Sequence, residues 1–179
     1  DGSTVVGENL IPKELKPINR VSLSPEQPAA TPDALRAVKD AQIIVLGPGS
    51  LYTSIIPNLL IKDISERIAA SSAIKVYVCN VMTQPGETDN FSASDHVKAL
   101  VAHASPRIID YCIVNTGEIS KDTLIRYGQQ GALPTASDRK SIENMGYRVI
   151  EEDAVVIDGV IRHDPVKLAK IILGLVEEA

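Results

Sequence analysis

Three short runs, Gln42-Ile43-Ile44-Val45-Leu46, Lys75-Val76-Tyr77-Val78-Cys79 and Tyr111-Cys112-Ile113-Val114, are rich in β-branched residues and do not alternate with polar ones. Continuously apolar strands need cover on both faces, and the helix-length segments between them leave room for parallel crossovers. The chain is therefore expected to fold as α/β, with a doubly wound, mostly parallel sheet. Helices are expected at Ile64–Ser71, Ser94–Ala104, Lys121–Tyr127, Arg139–Met145 and Val166–Glu178, the last opened by Asp164-Pro165. Thr31-Pro32-Asp33 opens an earlier one in the same way. Two late strands, Tyr147–Ile150 and Ala154–Ile157, are expected to flank a turn through Glu151-Glu152-Asp153, with Asp158-Gly159 as the next turn.

The 179 residues fit one domain. Residues 1–40 form a peripheral irregular segment in this reading, because Pro12, Pro17, Pro25, Pro28 and Pro32 interrupt every long element, although Arg20–Leu23 would suit a short strand. Asp1–Glu8 lacks an initiator methionine and reads as a turn entering a strand, which suggests a fragment. Eighteen Lys and Arg stand against 23 Asp and Glu, for a net charge of −5, and aromatic residues make up 3%. Such a chain offers neither a basic footprint for a phosphate polymer nor platforms for stacked bases, so nucleic acid is not an expected partner. No apolar run approaches a membrane span. Cys79 and Cys112 sit inside apolar runs without CxxC spacing, as buried thiols of a reducing, cytoplasmic compartment do.

In open α/β sheets ligands bind beyond the carboxyl ends of strands, so the residues just past each run matter most. The first run leads into Gly47-Pro48-Gly49-Ser50-Leu51-Tyr52-Thr53-Ser54. Its glycines permit close backbone approach, and the Ser50, Thr53 and Ser54 hydroxyls suit phosphate oxygens at a helix start. A plain strand-to-helix turn would use the same residues, and neither GxxxxGK[ST] nor GxGxxG is present. The second run leads into Asn80–Asp89, longer than a simple connection needs, where Asn80, Thr83, Gln84 and Thr88 suit a neutral polar ligand or, alternatively, a self-bonded turn closed by Pro85-Gly86. Asn115-Thr116-Gly117 stands after the third. Tyr127 would stack on a base or join the core, and Arg162 would neutralise a phosphate or form a surface pair.

Templates for catalysis and metal binding do not match. His96 and His103, seven apart on an expected helix, stand about 10 Å apart along its axis, too far for one ion. HExxH, GxSxG and a placeable Cys/His pair are missing from the sequence.

Leu46–Leu60 and Val78–Asp89, together with Ser92–Val97, Val114-Asn115-Thr116 and Arg162-His163-Asp164, resemble the YvcK family of the CofD-like superfamily, and the likeness covers nearly the whole chain. The resemblance implies a CofD-like, Rossmann-like fold and a cytoplasmic bacterial gluconeogenesis factor. It implies a protein that binds UDP-N-acetylglucosamine and, through a partner protein, supports cell shape and envelope synthesis on gluconeogenic carbon. It implies no catalytic residue and no established cofactor, and a homodimer is compatible with it. The family's ligand-contacting tyrosine and arginine fall on Tyr127 and Arg162. The expected ligand set is thus Gly47, Gly49, Ser50, Tyr52, Thr53, Ser54, Asn80, Thr83, Gln84, Thr88, Asn115, Tyr127 and Arg162. More distant CofD relatives are metal-dependent 2-phospho-L-lactate transferases, which makes that activity, with Mg2+, the alternative. The family's opening GGGTG turn and later acidic Asp-Asp-Gly-Gly stretch do not occur in this sequence. The resemblance is therefore to its C-terminal part, a single CofD-like domain over 1–179 without the N-terminal nucleotide-binding segment.

Overall fold

A computed structural model describes residues 2–177. Strands β1 (Ile43–Leu46), β2 (Ile74–Val78), β3 (Tyr111–Asn115) and β4 (Arg148–Glu152) form one parallel sheet in the order β1-β2-β3-β4. Among the described residues the strands succeed one another without a reversal of order. Parallel crossovers are right-handed, so successive neighbours laid down in one direction send their connecting helices to one face. That face carries α1 (Pro32–Asp40), α2 (Ile56–Leu59), α3 (Lys62–Ala70), α4 (Ala93–His103) and α6 (Arg139–Asn144), around a core in which Tyr77, Cys112, Val114 and Val149 meet Leu51, Ile56, Val97, Leu100 and Ile142.

The opposite face is covered by α7 (Pro165–Glu177), whose Leu168, Ile171, Ile172 and Leu175 pack on Val76, Val78 and Ile113. Both faces of β2 and β3 are thereby buried, which is why their sequences are apolar throughout. Glu178, the expected last residue of this helix, lies outside the described residues.

The helix starts obey local chemistry. Thr31 Oγ1 accepts from the Ala34 amide with Pro32 at the first helical position. Ser92 and Asp95 cap each other's backbone in a capping box at α4. The Asp164 carboxylate takes the Val166 and Lys167 amides of α7.

Three local expectations change. The two late strands are present with shifted bounds: β4 continues to Glu152 inside the parallel sheet, which narrows the connection to Asp153-Ala154, and β5 (Val155–Asp158) pairs antiparallel with a further strand, β6 (Val160–His163), around the expected turn at Gly159. Gly159 takes φ +65°, so the hairpin turn falls there. Neither Gly2–Glu8 nor Arg20–Leu23 is a strand; the early segment contains one 3-10 turn, Ile11–Glu14. Its prolines remove the donors a ladder needs, and tertiary contacts fix it instead. Ile18 and Val21 pack on the core, and the Val21 amide donates to His103 Nε2.

Candidate functional site

Beyond β2 lies a third, smaller apolar cluster: Val81, Met82 and Val155, with Ile119, Tyr127 and Ile161 packed against it. It forms because the loop after β2, helix α5 (Lys121–Gly128) and the β5–β6 hairpin meet there. A cavity of about 770 Å³ opens over this cluster, large enough for a nucleotide-sized ligand. Of the residues expected from sequence, Gly49, Asn80, Thr83, Gln84, Tyr127 and Arg162 line it. They come from the ends of β1 and β2, from α5 and from β6, so the fold brings together residues up to 113 positions apart (162 − 49 = 113).

The polar side chains on the β2 side are joined. Asn80 Nδ2 donates to Gln84 Oε1, and Gln84 Nε2 donates to Ser50 Oγ at 2.8 Å. Thr83 Oγ1 accepts from the Leu133 amide, and its own amide donates to the Leu133 carbonyl at 2.7 Å. The buried Thr88 hydroxyl accepts from the Gln84 amide. These bonds fix the loop's shape, so Ser50 and Thr88 hold the wall without lining it.

The loop after β1 differs from expectation. Thr53 Oγ1 donates to Glu87 Oε1 at 3.0 Å. The Tyr52 and Thr53 amides at the start of the wide helical turn Leu51–Ile55 favour the charged form of this carboxylate. The Thr53 hydroxyl expected to hold phosphate is thus engaged by a carboxylate of the chain itself. Tyr52 does not line the cavity: it is 3% exposed and meets Phe91 and His103 edge-on in the core. Ser54 is exposed and off the cavity, its carbonyl accepting from Asn58 Nδ2. Gly47 makes the turn at φ +97°, where a Cβ would come within 3.1 Å of the Val78 carbonyl. Asn115 is spent on structure, its Oδ1 accepting from the Gly117 and Ala154 amides.

The hairpin side is built around Tyr127. Its hydroxyl accepts from the Ile161 amide at 2.8 Å, while the Arg126 guanidinium sits 5.8 Å from the ring centroid and donates to the Gly159 carbonyl. Tyr127 is therefore both a hairpin support and a partly exposed ring on the cavity. Arg162 is exposed there with no ion pair among the described residues. Beside it His163 donates from Nε2 to the Cys79 carbonyl, and burial pushes its pKa below the usual imidazole range.

Sequence reasoning missed Glu87, His163, Gln130, Met82 and Pro12, which also line the cavity. Glu87 is 7% exposed, and burial raises its pKa above the usual carboxyl range against the opposing bonds from Thr53 and from the Tyr52 and Thr53 amides. Its available signal was position, inside the long loop after β2. Pro12 arrives because Gly86, at φ +79°, leaves room for the early segment: a Cβ there would collide with the Pro12 carbonyl. Among the described residues no three His, Cys, Asp or Glu come together as a metal site, and no helix is long and apolar enough to cross a membrane.

Residues 1–155 match the family model described as 2-phospho-L-lactate transferase CofD. The chain belongs to the CofD family. Similar curated proteins carry the name gluconeogenesis factor. The gluconeogenesis factor of Bacillus subtilis is 43% identical over 99% of this chain and 56% of its own length, and that of Listeria monocytogenes is 43% identical over 98% and 54%. The crystal structure of a UPF0052-family protein from Bacillus halodurans superposes with a TM-score of 0.94 at 42% identity, covering 96% of this chain and 56% of the other. The chain spans between 39% and 56% of the length of curated relatives that it matches.

Proposed function

We propose that this chain binds a UDP-sugar, UDP-N-acetylglucosamine, in the cavity between the β2 loop and the β5–β6 hairpin. Its output is regulatory: through a partner protein it supports cell shape and envelope synthesis in cytoplasm during gluconeogenic growth. The observation that carries this reading is Arg162, a guanidinium without an ion pair beside the Tyr127 ring on one apolar-floored cavity. A guanidinium without a carboxylate partner suits a diphosphate, and a partly exposed ring on an apolar floor suits a pyrimidine. Kinship with proteins named gluconeogenesis factor supports the gluconeogenic part of this reading.

Arg162→Ala tests the reading. Titration calorimetry with UDP-N-acetylglucosamine is expected to show roughly 10- to 100-fold weaker binding, since a charge-assisted contact is worth about 1.5–3 kcal/mol. Melting temperature should stay unchanged because the side chain makes no ion pair among the described residues. Equal affinity in both proteins would remove Arg162 from the site. The alternative, transfer of a phospho-lactyl group to a deazaflavin, is favoured by the description of the matching family model. It requires a divalent ion, and among the described residues Glu87 is the one cavity carboxylate, with one oxygen engaged by Thr53. One carboxylate would hold such an ion only together with phosphate oxygens of a bound nucleotide. Consumption of a nucleotide-activated donor in the presence of Mg2+ and a deazaflavin would establish the transferase.

A further inference from the structure

Two acceptor atoms in the cavity wall have no partner among the described residues. Glu87 Oε2 and Asn80 Oδ1 are both buried and make no hydrogen bond, although both residues line the cavity. An unsatisfied buried polar atom costs about 1–3 kcal/mol, so such atoms at a ligand site mark where a ligand supplies the missing group. The rest of each side chain is fixed. Glu87 Oε1 is held by the Thr53 hydroxyl, and Asn80 Nδ2 by Gln84. Neither side chain can turn away to satisfy its open atom without breaking a bond on its other side.

The cavity is therefore polar in a directional sense. Its hairpin side carries the guanidinium of Arg162, and its β2 side carries two open acceptors and, among the described residues, no lysine or arginine. Phosphate is repelled from the β2 side and attracted to the hairpin side. What fits against Glu87 and Asn80 is a group that presents two or more donors without acceptors in fixed positions between them. A nucleotide's uracil has one donor, N3–H, flanked by two carbonyls, and a carboxylate would face those carbonyls. Sugar hydroxyls, and an amide N–H on the sugar, each donate and can rotate to suit. We infer that Glu87 and Asn80 are the specificity-determining residues for the sugar moiety, reading its hydroxyl and amide donors while Arg162 holds the diphosphate. This rests on the UDP-sugar reading and adds an orientation to it: sugar toward the β2 loop, nucleoside toward Tyr127.

Glu87→Gln isolates the contact. With Oε1 fixed as an acceptor, the replacement must keep its one carbonyl oxygen on Thr53 and turn its NH2 into the cavity, setting donor against donor. Titrate wild type, Glu87→Gln and Asn80→Ala with UDP-N-acetylglucosamine and with UDP, each with Mg2+ and with EDTA, after checking by thermal melting that the variants fold. The expected result is an about 10-fold or greater loss of affinity for the UDP-sugar in both variants, with UDP changed less than about 2-fold and no dependence on Mg2+. Asn80→Ala gives the answer independently should Glu87→Gln not fold. Equal losses for UDP and UDP-sugar would place the ribose, base or phosphate against these residues and overturn the assignment. A loss seen only with Mg2+ would make Glu87 a cation ligand and overturn it as well. If wild type binds both ligands and neither variant changes either, the nucleotide reading stands and this inference fails. If wild type binds neither, both fail.

Discussion

The loop after β1 and the loop after β2 leave neighbouring strands side by side, and both are rich in small polar residues around a glycine and a proline. Their bonding differs. In the first, Ser50 is engaged by Gln84, Thr53 by Glu87, and Tyr52 is in the core. In the second, the backbone is fixed by Thr88 and Leu133, yet Asn80 and Glu87, which line the cavity, keep buried acceptors without a partner among the described residues. The first loop is scaffold for the second. Hydroxyls engaged by the amide and carboxylate of the neighbouring loop lose their claim on a ligand, whereas side chains locked at one end and open at the other keep it.

The largest effect expected on this contrast comes from Gly86→Ala. A Cβ meets the Pro12 carbonyl at a backbone angle side chains rarely adopt, so either the loop or the early segment must move. We expect a loss of at least about 2 kcal/mol, or roughly 4–8 °C in melting temperature, with ligand binding weakened too. Thr53→Val comes next. It removes the hydroxyl on Glu87 Oε1 and should cost about 1 kcal/mol in denaturant unfolding. It should also raise the Glu87 pKa further, observable by carboxyl NMR titration, because the Thr53 hydroxyl is the largest of the bonds now lowering it. An unchanged pKa would separate the two loops.

Acid provides a smaller perturbation. His96 is fully buried, burial lowers its pKa, and the bond to the Ser92 carbonyl opposes that only in part. A base whose folded pKa lies below its unfolded value contributes stability that is present above the unfolded pKa, about 6.5, and is lost as pH falls through the lower folded one. Melting temperature should therefore decline below about pH 6.5, and His96→Gln should flatten that decline. The smallest effect is expected of Ser54→Ala. Its side chain is exposed and lines no part of the cavity, so stability should change by less than about 0.5 kcal/mol and affinity not at all. A clear loss of affinity there would return the first loop to the ligand.

Much of the scaffold was legible in the sequence because burial on both faces writes continuous apolar strands, and caps such as Thr31-Pro32 and Asp164-Pro165 write helix starts. The hairpin was less legible. Val155–Asp158 reads as a strand in isolation, but its partner is chosen by the turn at Gly159 and by Tyr127 bonding to Ile161, contacts 34 residues apart. In the site, residue types pointed to loops of which Gly49, Asn80, Thr83 and Gln84 line the cavity, and the resemblance pointed to Tyr127 and Arg162, which line it too. The division of labour within a loop did not show. Whether a hydroxyl faces a ligand or a neighbouring carboxylate depends on where Glu87 lies in space, and a carboxylate within an expected diphosphate site looks like a reason against it until its bonding is known.

The central claim is that the cavity between the β2 loop and the β5–β6 hairpin, and not the Gly47–Ser54 turn, receives the ligand. A crystal structure of this chain with UDP-N-acetylglucosamine tests it directly. The expected result is diphosphate density within hydrogen-bond distance of Arg162 and uracil against Tyr127, with the Thr53–Glu87 bond intact. Diphosphate on the Ser50, Thr53 and Ser54 hydroxyls, with Glu87 displaced from Thr53, would contradict it.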